Sequence, residues 1–226
     1  MARGGWSSSN YLYNANAFAS SGALTMAAWI YPTSASALAQ IWGINNSGDA
    51  TRILTLNQSA TALIVASRRD GGTASSVATT ATVNLNSWNF VLFKYFPGIE
   101  GTFITRLNSD TSTGYGEILD WPTGLNATCI GARYVTGAVD RPYPGYIGPI
   151  ALWNYLLNPN QCDALASGMH PLSLPGALPT AFYSMEDDKD ADDWFGIFNM
   201  YEAGTVTEYT SSKPPIRPRG IFYEND

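Results

Sequence analysis

Short strand-like runs follow one another along most of the chain, each closed by Gly, Asn, Ser or Pro, and this cadence constrains the fold more than any single motif. The clearest are "ALTMAAWIYP" (23–32), "AQIWGI" (39–44), "RILTLN" (52–57), "ALIVAS" (62–67), "WNFVLFKYF" (88–96), "GTFITRLN" (101–108) and "ATCIGARY" (127–134). Weaker ones are "SVATTATV" (76–83) and "TAFYSM" (180–185). In "RILTLN" and "FITRLN" apolar and polar residues alternate, as they do when one sheet face meets water. Others are apolar throughout, which suits the inner layer of a sandwich. Strands at this spacing with turns between them predict two packed antiparallel sheets, a sandwich or jelly roll, and not a βαβ fold.

One stretch breaks the cadence: "GYIGPIALWNYLLNPNQCDALASGMHP", residues 145–171. Tyr146 to Leu157 reads as a buried strand. Asn158 is a helix N-cap, because its side-chain oxygen can accept an early backbone N–H, and Pro159 suits the first helical position. Cys162, Leu165 and Ala166 share one face at the i, i+3, i+4 spacing. Gly168 can end the helix in the left-handed conformation and Pro171 prevents its resumption. The helix carries no catalytic or metal-binding constellation and is read as a structural closure.

The 226 residues suit one large domain, which at this size buries roughly 70–75% of its unfolded surface and needs no metal or disulfide staple. We divide the chain into a core over 1–175, additional strands and an acidic turn over 176–212, and an extended arm over 213–226. Charged residues are 13% of the total, about half the usual share. The net charge is −6, and the lysines are Lys94, Lys189 and Lys213 alone. Phosphate backbones demand a basic stripe, so nucleic acid is excluded as a partner; Arg68–Arg69 reads as a solvated turn. No run is long and apolar enough for a membrane helix. Cys129 and Cys162 fall in a strand and in the helix, and free buried thiols are the expected state.

Enzyme chemistry finds little footing. The paired acids Glu117 and Asp120 stand three apart, which in a strand puts them on opposite faces, and their Gly- and Pro-rich surroundings read as a loop. His170, the sole histidine, sits in "GMHP" just past the helix and reads as a surface turn rather than a general base. One His and two separated Cys rule out a structural zinc site. No catalytic residue and no cofactor is therefore expected.

Three pieces, in order, carry a family resemblance: "SSNYLYNANAFASSGALTMAAWIYP", "LNSWNFVLFKYF" and "IGARYVTGAVDRPYPGYIGPIALWNYLLNPNQCDALASGMHP". Together they resemble the laminin-G-like branch of the concanavalin A-like lectin/glucanase superfamily over residues 8 to about 171. The resemblance implies an antiparallel two-sheet jelly-roll sandwich with one helix at its edge. The glycosidases of that superfamily carry E-x-D-x-x-E on one strand, and nothing here matches it. Calcium is the family's usual ion, bound by loop oxygens; Asp187, Asp188, Asp190 and Asp192, in the run from Glu186 to Asp193, are the acids to test, with a solvated acidic turn as the reading we prefer.

Glycan binding requires aromatic faces and polar groups for hydroxyls. The loop "YVTGAVDRPY" offers Tyr134, Asp140, Arg141 and Tyr143, and "INNSGDATR" offers Asn45, Asn46, Asp49 and Arg52. The C-terminal "SSKPPIRPRGIFYEND" reads as a polyproline-like arm, with Pro214, Pro215, Ile216, Arg217, Phe222 and Tyr223 as its contact residues. The opening "MARGGWSSSNYLY" lacks the apolar segment of a secretory signal, while the lysine-poor, aromatic-rich body suits an external surface. A virion protein made in the host cytoplasm meets both conditions. The leading expectation is a non-enzymatic virion structural protein, a phage capsid decoration or cement protein, homo-oligomeric and acting through contacts with capsid or other virion proteins. The alternative is a carbohydrate-binding, lectin-like adhesion module or tail-fibre receptor-binding domain for a surface glycan; a glycoside hydrolase is the remote third reading.

Overall fold

A computed structural model describes residues 2–35, 38–97, 102–115, 120–185, 192–205, 207–209 and 213–216. The first half of the chain forms β1 (Ala2–Gly4), β2 (Tyr11–Asn14), β3 (Leu24–Pro32), β4 (Ala39–Asn46), β5 (Asp49–Gln58), β6 (Leu63–Asp70) and β7 (Thr73–Thr82). It continues with β8 (Asn89–Phe96), β9 (Thr102–Leu107), β10 (Asp110–Tyr115), β11 (Ala127–Ile130), β12 (Arg133–Val135), β13 (Ala138–Asp140) and β14 (Gly145–Trp153). The helix α1 (Pro159–Ala166) follows, then β15 (Ala181–Tyr183), β16 (Tyr201–Ala203) and β17 (Thr207–Tyr209).

Two antiparallel sheets make the sandwich. The first runs β10-β9-β8-β3-β14-β1-β17, with β15 also on β14; the second runs β16-β2-β11-β4-β5-β6-β7. Chain-distant strands are neighbours, so the topology is a jelly roll and not a meander. Pro149 lies in the middle of β14, where an ordinary ladder position would lack its N–H donor. It is tolerated because the register slips between Ile147 and Ile150, and bulges are where sheets admit proline. The same slip divides that edge of β14: β1 pairs at Ile147 and β15 pairs from Ile150.

Alternation decides the layers. Trp42, Ile44, Leu54, Leu56 and Ala66 of the second sheet meet Met26, Ile30, Val91, Phe93, Tyr95 and Ile150 of the first in the central core. A second apolar layer lies on the outer side of the first sheet, where Trp29, Leu92 and Trp153 pack under Leu157, Cys162 and Leu165. The helix is capped as its sequence predicts: the Asn158 side chain accepts from Gln161 N at 3.0 Å and Asn158 N donates to Gln161 Oε1 at 2.9 Å. His170 is a turn residue, its Nδ1 accepting from Leu172 N at 3.2 Å and its ring 5.3 Å from Phe182. The cysteines are free and buried, Cys129 in the second sheet and Cys162 against the outer side of the first. Burial pushes the Cys129 thiol up to about 12.

The predicted strand Tyr146–Leu157 is shorter in the structure, ending at Trp153. "ATCIGARY" is split: Gly131, at φ 80°, ends β11 and turns the chain into the separate β12–β13 hairpin.

Candidate functional site

The outer side of the second sheet is polar, and strand alternation builds it. With Trp42, Ile44, Leu54 and Leu56 directed inward, Gly43, Asn45, Thr55 and Asn57 face outward, and the register slip between Gln40 and Trp42 turns Gln40 to the same side. Cross-strand pairing sets a row over this face: Tyr201, Tyr13, Cys129, Gly43, Thr55, Ser67, Ser76. Gly43 is required for close approach, since a Cβ there would stand 2.7 Å from Thr55 Cγ2 and 2.9 Å from Gln40 Nε2.

The β12–β13 hairpin lies against this face and covers its middle. Gln40 Nε2 donates to Ala132 O at 2.9 Å, Gln40 N to Arg141 O at 2.9 Å, and Thr136 N to Ser47 O at 2.6 Å. Gln40, Asn45 and Thr55 are buried as a result, with Asn57. The side-chain oxygens of Gln40, Asn45 and Asn57 take no hydrogen bond from any described residue.

Beside the hairpin stands a tyrosine platform. Tyr11 and Tyr13 share one face of β2, and β12 lays Tyr134 on them, its ring 6.5 Å from Tyr11 at 15° and 4.9 Å from Tyr13 at 60°. Tyr201 of β16 stands opposite Tyr13 and is 70% exposed. Burial, then the neighbouring ionisable groups, raise the phenols of Tyr11 and Tyr13 above their ordinary range, so both are neutral hydroxyls at physiological pH.

The two loops singled out in the sequence meet, through the Thr136–Ser47 bond. Within them, Tyr134 joins the platform and Arg141, in left-handed conformation at φ 55°, ends the hairpin beside it. Arg133 Nε donates to Asp140 Oδ1 at 2.7 Å and a second bond completes a bidentate pair. Asp49 accepts from Thr51 N at 2.8 Å and Thr51 Oγ1 at 2.6 Å, which with Arg52 beside it lowers its carboxyl below the usual range. Arg52 sits between Asp49 at 3.1 Å and Asp70 at 3.8 Å. Asn46 accepts from Gly48 N at 2.8 Å and holds the turn. Two expected rim residues are elsewhere: Asn45 belongs to the covered floor, and Tyr143 is buried in the central core, its N–H donating to Gly131 O at 2.8 Å.

Asp187, Asp188 and Asp190 lie outside the described residues, as do Arg217, Phe222, Tyr223 and Glu117. Asp192 is exposed, and among the described residues no group of three His, Cys, Asp or Glu is placed to hold a metal. Asp193 has a different role from the acidic run it ends. It is 3% exposed, and its carboxylate accepts four amides, from Phe182 at 2.8 Å, Phe195 at 3.3 Å, and Ile197 and Phe198 at 3.2 Å. The loop it pins presents Trp194 at 60% and Ile197 at 77% exposure. Pro214 is buried against Gly148, and Ile216 packs on the layer under the helix, so the arm begins on its own domain. Sequence reasoning passed over Tyr11, Tyr13 and Tyr201, although the Tyr-Leu-Tyr spacing marks the first two as sharing a face.

A family model described as the concanavalin A-like lectin/glucanases superfamily, of laminin-G type, matches residues 4–162. The chain belongs to this family. No curated protein matches the sequence. Among solved structures it is similar to the CBM40 of the Ruminococcus gnavus IT-sialidase bound to α2,3-sialyllactose, at 17% identity and TM-score 0.58 over 64% of this chain and 83% of that one. A candidate carbohydrate-binding protein from Bacteroides ovatus is similar at 16% identity and TM-score 0.65, over 92% of this chain and 60% of that one. The native heptameric SAP-like pentraxin of Limulus polyphemus is similar at 14% identity and TM-score 0.59, over 88% and 87%. At these identities the likeness is one of fold.

Proposed function

We propose that this protein is a non-catalytic carbohydrate-binding module whose ligand lies on the Tyr11, Tyr13, Tyr134 and Tyr201 platform. The observation that carries the reading is the platform itself: clustered aromatic rings, one largely exposed, at the border of a polar sheet face. Sugar rings present C–H faces that pack on aromatic surfaces, while their hydroxyls require fixed polar partners. Arg141, which ends the hairpin that carries Tyr134, supplies a donor for such hydroxyls. Relatives in fold support the reading, one of them a module with sialyllactose bound. Catalysis has no comparable support. A glycan array followed by calorimetry on its hits tests the proposal: Tyr134→Ala and Tyr13→Ala should each weaken binding about tenfold without unfolding the protein. An array without hits, or hits indifferent to both substitutions, overturns it.

A second reading, a virion structural protein working through protein contacts, is favoured by the exposed loop at Trp194, Phe195 and Ile197 and by the proline-rich arm. Its test is the occupancy of purified particles. Stoichiometric copies on a capsid support it, and unchanged particle binding after deletion of residues 213–226 removes the arm from the interface.

A further inference from the structure

On the other side of the sandwich, α1 leaves a corner of the first sheet uncovered, and a cleft of about 220 Å³ opens there. Its volume is below the roughly 300–1,000 Å³ of drug-sized pockets and suits a ligand of monosaccharide size. Leu92, Ile104 and Pro159 form apolar walls, while Lys94 and Arg106 bring two positive charges and Asp163 one negative. Lys94 pairs with Ile104 across β8 and β9, and Leu92 pairs with Arg106, so the two cations are diagonal neighbours on one sheet face.

Both cations are held in place by backbone carbonyls. Lys94 Nζ donates to Leu157 O at 2.7 Å, and Arg106 Nε donates to Asn108 O at 2.5 Å. A carbonyl orients an ammonium without neutralising it. Among the described residues the one carboxylate partner is Asp163, 2.5 Å from Arg106. Its side chain is 64% exposed whereas that of Arg106 is 12% exposed, so the acid is the displaceable member of the pair. Its described lining, Lys94 and Arg106 against Asp163, retains a net charge of +1 in a chain whose total is −6.

We propose that this cleft is a second binding site, for a small carboxylate with an apolar face. The ligand's carboxylate replaces Asp163 on the Arg106 guanidinium, which takes carboxylates in a bidentate fork. The second lone pair of one carboxylate oxygen accepts from Lys94, and the ligand's body rests between Leu92, Ile104 and Pro159. Asp163 is then a built-in competitor that sets the affinity. The site does not depend on the tyrosine platform, which lies on the outer face of the other sheet.

The test titrates the full chain with glucuronate and phenylacetate, and with their neutral methyl esters, reading the Leu92 and Ile104 methyl signals by NMR. The acids should saturate these shifts and the esters should not. Lys94→Met should weaken binding at least about tenfold, the weight of one charge-assisted hydrogen bond. Asp163→Asn should tighten it about threefold, the weight of one exposed ion pair. If Lys94→Met fails to melt cooperatively, Arg106→Lys replaces it, keeping the charge and losing the fork, with weaker binding expected. Acids that leave the methyl signals unmoved at tens of millimolar, esters that bind as well as acids, or equal affinity in wild type and Asp163→Asn overturn the proposal. Tyr134→Ala, which tests the platform, should leave this titration unchanged.

Discussion

The tyrosines show how one residue type takes opposite duties by position. Tyr11, Tyr13 and Tyr134 stand on the outer face, partly wet. Tyr95, Tyr143 and Tyr183 are fully buried. Burial is the first cause that pushes Tyr95 up to about 12, and it drives Tyr143 and Tyr183 well above their ordinary 10. A phenol whose folded value is raised binds its proton more tightly in the native state than in the unfolded one. The stability this contributes is complete below about pH 10 and is lost as pH rises through the folded value, so the window for Tyr95 runs from 10 to about 12. A tyrosinate absorbance titration should therefore show a first group ionising near pH 10 and a second that ionises only with loss of tertiary structure. Tyr95→Phe should remove part of the alkaline instability; a single titration near pH 10 in the intact fold would contradict this account.

At the scale of elements, the hairpin and the pinned loop are both held by a few polar contacts; the hairpin carries the half-buried Tyr134 and the loop the exposed Trp194 and Phe195. The loop from Asp193 to Asn199 depends on one carboxylate. Four amides converge on Asp193, and its own N–H donates to Asn199 Oδ1 at 2.9 Å. Asp193→Ala leaves those donors without their acceptor in a buried place, and should cost about 2–4 kcal/mol in denaturant unfolding. Proteolysis should then begin at Trp194 or Phe195; unchanged stability would show that the loop is held by its apolar contacts instead. In the sequence this aspartate is indistinguishable from the acids before it. Its role arises from Gly196, at φ 68°, and from β15, which carries Phe182 to it from eleven residues upstream. The helix is the contrary case. Asn158, Pro159 and Gln161 act within one turn, so its start was legible from local chemistry alone.

For the whole molecule, the C-terminal strands and arm tie the sandwich together. β17 pairs with β1 and β16 with β2, so late segments close the edges of both sheets beside the first strands of the chain. Arg3 and Glu202 add an ion pair at 3.1 Å. The arm docks where a glycine leaves room: a Cβ on Gly168, which has φ 88°, would stand 2.2 Å from Pro215 O. Gly168→Ala should accordingly displace Pro214–Ile216 and lower stability by about 1–2 kcal/mol, read as a fall in Tm and faster amide exchange around Ile216. Slow exchange at Ile216 in the variant would mean that the arm is held elsewhere.

The sequence by itself determined the strand cadence, the capped helix and the family, and showed no run long and apolar enough for a membrane helix, because each is written in contacts between near neighbours or in composition. It also marked the loop that carries Tyr134. Only the tertiary structure decided which side chains share that face. Tyr11, Tyr134 and Tyr201 are far apart in the chain and meet through jelly-roll pairing; the same pairing buried Asn45 beneath a hairpin and turned Tyr143 into the core. The cleft at Lys94 and Arg106 was not visible either, since it exists only where a helix stops short of a sheet edge. Periodicity tells each residue which side of its strand it occupies, while the order of strands, set by long-range burial, decides what stands beside it.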